Sequence, residues 1–214
     1  MGRFKVKKQD TFIDMTPMSD VMVLLLTFFM LTATFVKDEP VKVNTPGSVS
    51  EIKIPENNLL TIFVEKSGKI FMCMDNPNTQ RALAEQMISE GHLKLTSEQL
   101  ESFSMLSTFG TPCNVLASWM NLDNHARNEY LLKNPEAGIP VPDVMPDGTI
   151  IGAQRNELKL WVKAARAANG KNMGIAIKAD KTTPYSAIKK VMDSLRDVDE
   201  NRYNLITALK GVEE

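Results

Sequence analysis

The stretch Asp20-Val21-Met22-Val23-Leu24-Leu25-Leu26-Thr27-Phe28-Phe29-Met30-Leu31-Thr32-Ala33-Thr34-Phe35-Val36 is the one long apolar run of the chain, and it opens on a carboxylate. An acid near the centre of a helix in lipid costs roughly 2.5–3.5 kcal/mol on insertion scales. Ionisable groups on such helices are therefore functional by default, often members of a proton relay. Residues 21–36 number 16, about 24 Å of helix at 1.5 Å per residue. That falls short of a hydrocarbon core of roughly 30 Å. Carrying the helix back through Pro17, Met18 and Ser19 adds the missing turn, with Thr16 placed to cap and Pro17 suited to the first helical position. The polar Lys37-Asp38-Glu39-Pro40 ends the run.

This reading predicts a cytoplasmic tail over residues 1–16 and a transmembrane helix over 17–36. A linker over 37–58 and an outer α+β domain over 59–211 follow. Arg3, Lys5, Lys7 and Lys8 precede the span, which puts the N-terminus in the cytoplasm. A cleaved signal peptide fits less well. Asp10 and Asp14 separate the basic cluster from the apolar run, and no small-x-small cleavage site follows.

Asp20, Thr27 and Thr34 recur at intervals of seven, so they share one helix face opposite Leu, Val, Phe and Met. A single polar stripe suits an interface lined by a partner or by water. A plainer account is also open: a first-turn acid favoured by the helix macrodipole, with threonines bonded back to the preceding turn.

The 214 residues carry a net charge of −1, which gives no footprint for nucleic acid. Cys73 and Cys113 are compatible with one disulfide or with two free thiols. Their spacing fits no zinc signature, and His92 and His125 lie close to neither, so no metal or cofactor is expected. There is no Gly-rich phosphate loop and no nucleophile–base pair, so an enzyme is not expected either.

In the linker, Val41 and Val43 alternate with polar neighbours, a pattern that can add a strand to a partner's sheet and that is expected to be mobile without one. Leu60, Ile62 and Val64, the turn at Ser67-Gly68, and Ile70-Phe71-Met72 predict a hairpin. Leu158, Trp161, Val162 and Ala165 keep helical spacing up to a stop at Gly170. A strand through Ile175 and Ile177 follows. Then comes a helix opened by Thr183-Pro184 with Ile188, Val191, Met192 and Leu195 inward, and a last strand near residues 203–209. The order predicts a small mixed sheet with two helices on one face.

Residues 76–154 read as a mainly helical insertion. Thr96-Ser97-Glu98-Gln99 has capping-box form ahead of Leu100, Phe103 and Leu106. A second cap at Thr111-Pro112 precedes Val115, Leu116, Trp119, Leu122, Ala126 and Tyr130, and residues 135–148 read as a proline-stiffened loop. Trp119 is expected in the core, and Asp180 and Asp193 as turn and helix-surface acids.

Residues 14–30, with Thr16-Pro17-Met18-Ser19-Asp20-Val21-Met22 at their centre, resemble the N-terminal signature of the ExbD/TolR family, roughly TP-x-x-D-V-M before an aliphatic run. Val41-Lys42-Val43-Asn44-Thr45-Pro46 resembles the family's segment just outside the membrane, with Thr45-Pro46 where Leu-Pro is usual. Ile177-Lys178-Ala179-Asp180, Tyr185 and Val191-Met192-Asp193-Ser194-Leu195 resemble its C-terminal block. The likeness covers about residues 1–75 and 155–211. It implies a non-enzymatic, single-pass subunit of an ion-driven motor in the bacterial inner membrane, with its C-terminal domain in the periplasm.

The partners so implied are ExbB/TolQ-like polytopic ring subunits, a second copy of the chain as a homodimer, a TonB- or TolA-like transducer, and membrane lipid. Asp20 inherits the proton-carrying position. Thr27 and Thr34 are ring-facing or path-lining candidates, and a lone carboxylate leans towards H+ over sodium. The alternatives are a membrane-tethered periplasmic binding or scaffold module and a TolR-like envelope-integrity subunit. A flagellar-type stator relative would also carry the acid, but with a larger outer domain.

Overall fold

The computed structural model describes residues 15–33, 43, 45–48, 58–144, 150–151, 155–170, 172–206 and 208–209. The chain divides into two units, residues 1–37 and 38–214. In the first, α1 runs Thr16–Thr32. The second contains β1 (Gly47–Ser48), β2 (Leu59–Val64), β3 (Ile70–Met74), α2 (Pro77–Ser89), α3 (Ser97–Ser104), α4 (Cys113–Met120), α5 (Asn124–Lys133), β4 (Asp143–Val144), β5 (Ile150–Ile151), α6 (Glu157–Asn169), β6 (Gly174–Ala179), α7 (Tyr185–Arg196), β7 (Asn204–Leu205) and β8 (Ala208–Leu209). An α+β domain with a small mixed sheet is the outcome.

The central sheet has four strands in the order β3-β2-β6-β7. The hairpin partners β2 and β3 are antiparallel, with Ile62 opposite Met72, and Gly68 makes the turn at φ +84°. On its other side β2 runs parallel to β6, where Leu59 pairs with Gly174, and β6 runs parallel to β7.

Strand alternation divides this sheet into two unlike faces. One carries Leu60, Ile62, Val64, Ile70, Met72, Met74, Ile175, Ile177 and Ala179, all buried. The other mixes buried Phe63, Phe71 and Ala176 with half-buried Thr61, Cys73 and Lys178. Lys178 Nζ lies 5.5 Å from the centre of the Phe63 ring.

Each predicted amphipathic helix finds its place. Leu158, Trp161, Val162 and Ala165 of α6 are buried, and Gly170 ends that helix at φ +74°. Val191 and Leu195 of α7 are buried, with Ile188 and Met192 packed against the core. The insertion shares this core instead of forming its own. Phe103, Phe109, Leu116, Trp119, Met120, Leu131 and Ile139 belong to the same cluster as the sheet residues. Phe103, Phe109 and Trp161 form an aromatic trio with ring centres 4.8–6.1 Å apart. The capping box forms in full: Thr96 N donates to Gln99 Oε1 and Gln99 N to Thr96 Oγ1.

Several expectations are corrected. Helical geometry starts one residue early, because Met15 is already in the right-handed region, so Met15 takes the N-cap place and Thr16 stands inside α1. The described helix ends at Thr32, with Ala33 extended at ψ 104°, and residues 34–36 of the expected span lie outside the described residues. Thr111 does not cap either. It is fully buried with its hydroxyl unpaired among the described residues, Pro112 holds the N-cap position, and the expected single helix splits into α4 and α5 around Asn121-Leu122-Asp123.

Pro184, not Thr183, precedes α7, and Thr183 Oγ1 donates to Val64 O instead. The last strand is broken into β7 and β8, and β8 pairs with β1 in a separate two-stranded sheet. The proline-stiffened loop contains β4, paired with β5. Among the described residues of the linker, Gly47–Ser48 forms a strand and Val43 packs on the core. Thr34 and Val41 lie outside the described residues.

Candidate functional site

α1 presents its side chains outward along its whole length, and none is buried. Val21, Leu24, Leu26, Phe29 and Met30 are each more than half exposed. Its hydroxyls are turned inward to its own backbone. Ser19 Oγ donates to Met15 O at 3.2 Å, Thr27 Oγ1 to Leu24 O at 2.9 Å and Thr32 Oγ1 to Phe28 O at 2.8 Å. These bonds consume the donors that would cost most in an apolar medium. Thr27 therefore offers a partner only its oxygen lone pairs.

Asp20 is the exception. Because the helix begins at Thr16, its first turn contains no acid, and Asp20 stands just beyond it. The macrodipole effect falls off within that turn, so the plainer account of Asp20 as a helix-end charge loses its geometry. Asp20 is exposed, and no hydrogen bond or ion pair holds its carboxylate among the described residues. An acid on an apolar helix without a partner among the described residues is suited to a group supplied from elsewhere.

Among its described residues the outer domain shows no comparable centre. Among the described residues no cluster of His, Cys, Asp and Glu is placed to hold a metal. An open cleft of about 840 Å³ is lined by Arg166, Asp199, Glu200, Arg202 and Tyr203. Its strongest cation is already engaged: Arg166 grips Glu200 through Nε and NH2 and donates to Gly170 O and Met173 O. Asp180 Oδ1 accepts from Thr182 N and Oγ1, closing a turn, and Asp193 pairs with Arg196 on the exposed side of α7. Both are structural acids, as expected.

Cys73 and Cys113 are not joined in a disulfide. Burial, aided by the neighbouring Glu157 carboxylate, pushes the Cys113 thiol up to about 12. Above the ordinary thiol range near pH 8.5, the unfolded chain ionises here while the folded chain does not. Stability then falls as pH climbs from about 8.5 towards 12. Cys113→Ser is expected to flatten that part of the pH profile, read as unfolding temperature against pH. An identical slope in both proteins would remove Cys113 as its source.

Two residues that sequence reading missed hold the insertion in place. Gln80 is buried, and its Nε2 donates to Phe103 O at 2.7 Å and Leu106 O at 3.1 Å, satisfying the C-terminal end of α3. Glu157 Oε2 accepts from Cys113 N at 2.8 Å at the start of α4, and Glu157 N donates to Pro140 O at 3.0 Å. For Gln80 a signal existed, since it shares a helical stripe with Leu83, Ala84 and Met87 and is the one polar member of it.

Residues 7–107 match the family model described as biopolymer transport protein ExbD/TolR. Over that span the chain is similar to the ExbD/TolR family. The matched span contains α1, the hairpin, α2 and α3. It extends the likeness beyond residue 75 and stops before the segment around Phe109. The biopolymer transport protein exbD2 of Vibrio cholerae serotype O1 is 39% identical over 52 residues, which make up 24% of this chain and 39% of the relative. The chain thus aligns with well under half the length of that ExbD/TolR protein. No solved structure matches.

Proposed function

We propose that this ExbD/TolR-like chain is the proton-carrying, force-transducing subunit of an inner-membrane motor. In this reading it works with an ExbB/TolQ-like polytopic ring and a second copy of itself. It passes the energy of the proton gradient to a TonB-type transducer serving outer-membrane transport, and it has no enzymatic role. The observation that carries the reading is Asp20: an exposed carboxylate without a partner among the described residues, beyond the first turn of an apolar helix, inside the family-matched span.

The reading takes α1 as the membrane anchor. Among the described residues no helix is long and apolar enough to cross a membrane by the usual length criterion. The 17 residues of α1 correspond to about 25 Å, at the lower limit of spanning helices. The apolar sequence continues to Val36, and a short span is accommodated by local thinning of the bilayer.

In the mechanism so proposed, Asp20 takes up and releases the transported proton as α1 moves within the ring. One proton crossing 100 mV supplies about 2.3 kcal/mol, enough to bias a choice between two helix packings. Tagged chain purified in mild detergent from its native membranes is expected to bring down a multispan membrane protein. A preparation that repeatedly yields the chain alone, with no such partner, would count decisively against the motor reading.

A further inference from the structure

Pairing with β2 turns the backbone groups of Phe71 and Cys73 inward and leaves those of Ile70 and Met72 facing the outer edge of β3. That edge is occupied by the chain itself. Met72 N donates to Phe109 O at 2.8 Å, Phe109 N returns a bond to Met72 O at 2.9 Å, and Ile139 N donates to Ile70 O at 2.8 Å. The two covering segments are joined by Gly138 N to Gly110 O at 2.8 Å.

Their glycines permit the close approach. A Cβ on Gly110 would stand 2.3 Å from Phe71 Cδ1, and Gly138, at φ +117°, lies against Lys69 and Ile70. One residue, Glu157, ties both segments down, through Cys113 on one side and Pro140 on the other.

We propose that these insertion segments, latched by Glu157, cover the β3 edge and so close it to strand addition by a second copy of this chain. The occupant excluded is a second copy because Ile70-Phe71-Met72-Cys73-Met74 is uncharged and free of proline. Such a strand is self-complementary about a two-fold axis. Proteins commonly protect exposed edges of this kind by covering them with other chain segments.

The test uses the full chain in detergent, with a short bismaleimide cross-linker acting through Cys73 and Cys73→Ser as the control. In the native chain the Met72 amide is expected to be protected from hydrogen exchange, and no Cys73-dependent cross-linked pair should form. Glu157→Ala is expected to speed Met72 exchange about tenfold, as loss of one capping bond would, and to produce the Cys73-dependent pair. Glu157→Gln, which keeps an acceptor oxygen, should stay close to native in both readouts.

Cross-linking of the native chain through Cys73, or a Met72 amide exchanging as fast as exposed loop amides, would overturn the proposal without any variant. So would a folded Glu157→Ala protein that exchanges Met72 at the native rate, or one that exchanges it faster yet forms no pair.

Discussion

Asp20→Asn is expected to abolish energy-dependent transport while leaving the protein inserted at its normal level. Asparagine matches aspartate in size and polarity and can still hydrogen-bond, but it cannot take up and release a proton. The driving energy, about 2.3 kcal/mol per proton per 100 mV, would then have no route into this chain. The check is complementation in the native host with immunoblotting of the membrane fraction. Asp20→Glu, which keeps the ionisable group on a longer arm, is expected to retain part of the activity. Full activity in Asp20→Asn at normal abundance would remove Asp20 from the mechanism and shift weight to a tethered binding module.

The largest stability effect is expected at Trp161. It is fully buried and packs against both Phe103 of α3 and Phe109 of the edge cover, so it joins α6 to two parts of the insertion. Truncation to alanine should destabilise the outer domain by about 3–5 kcal/mol, the usual range for a large aromatic in a packed core. Its Nε1 is buried with no partner among the described residues, and an unsatisfied donor of that kind costs about 1–3 kcal/mol. Trp161→Phe discards that donor along with some volume, so the two effects oppose each other. Its net cost is expected to stay below about 1.5 kcal/mol. Denaturant titration of the three proteins checks the ordering. Equal losses for Ala and Phe would mean that the indole edge, not the aromatic bulk, is what the core needs.

Local chemistry was legible in the sequence. The β2–β3 hairpin, α6 with its glycine stop, β6, α7 and the capping box at Thr96 all rest on patterns confined to a few consecutive residues. The failures share a cause. Thr111 has the form of a cap, but its hydroxyl is drawn into the core, and Thr183 bonds to β2 instead of its own helix.

Phe109 against Met72, Gln80 against Phe103, and Glu157 against both Cys113 and Pro140 are contacts between residues 17 or more apart in sequence, and no local periodicity encodes them. For the candidate site, the helix and its acid were legible from composition alone. The placement of Asp20 beyond the first turn was not, because it depends on where the backbone at Met15 enters helical geometry.

The parallel pairing of β2 with β6 also sets a clock on synthesis. Leu59 waits for Gly174, and at roughly 5–20 residues per second a gap of about 115 residues takes on the order of 6–23 s to emerge. Over that interval one side of the hairpin has no neighbour, while the segments that will cover β3, around Phe109 and Ile139, emerge 65 and 35 residues before Gly174. The order of translation thus gives one edge of the nascent sheet its protection early and leaves the other, on β2, as the place where a holdase chaperone would have most to do.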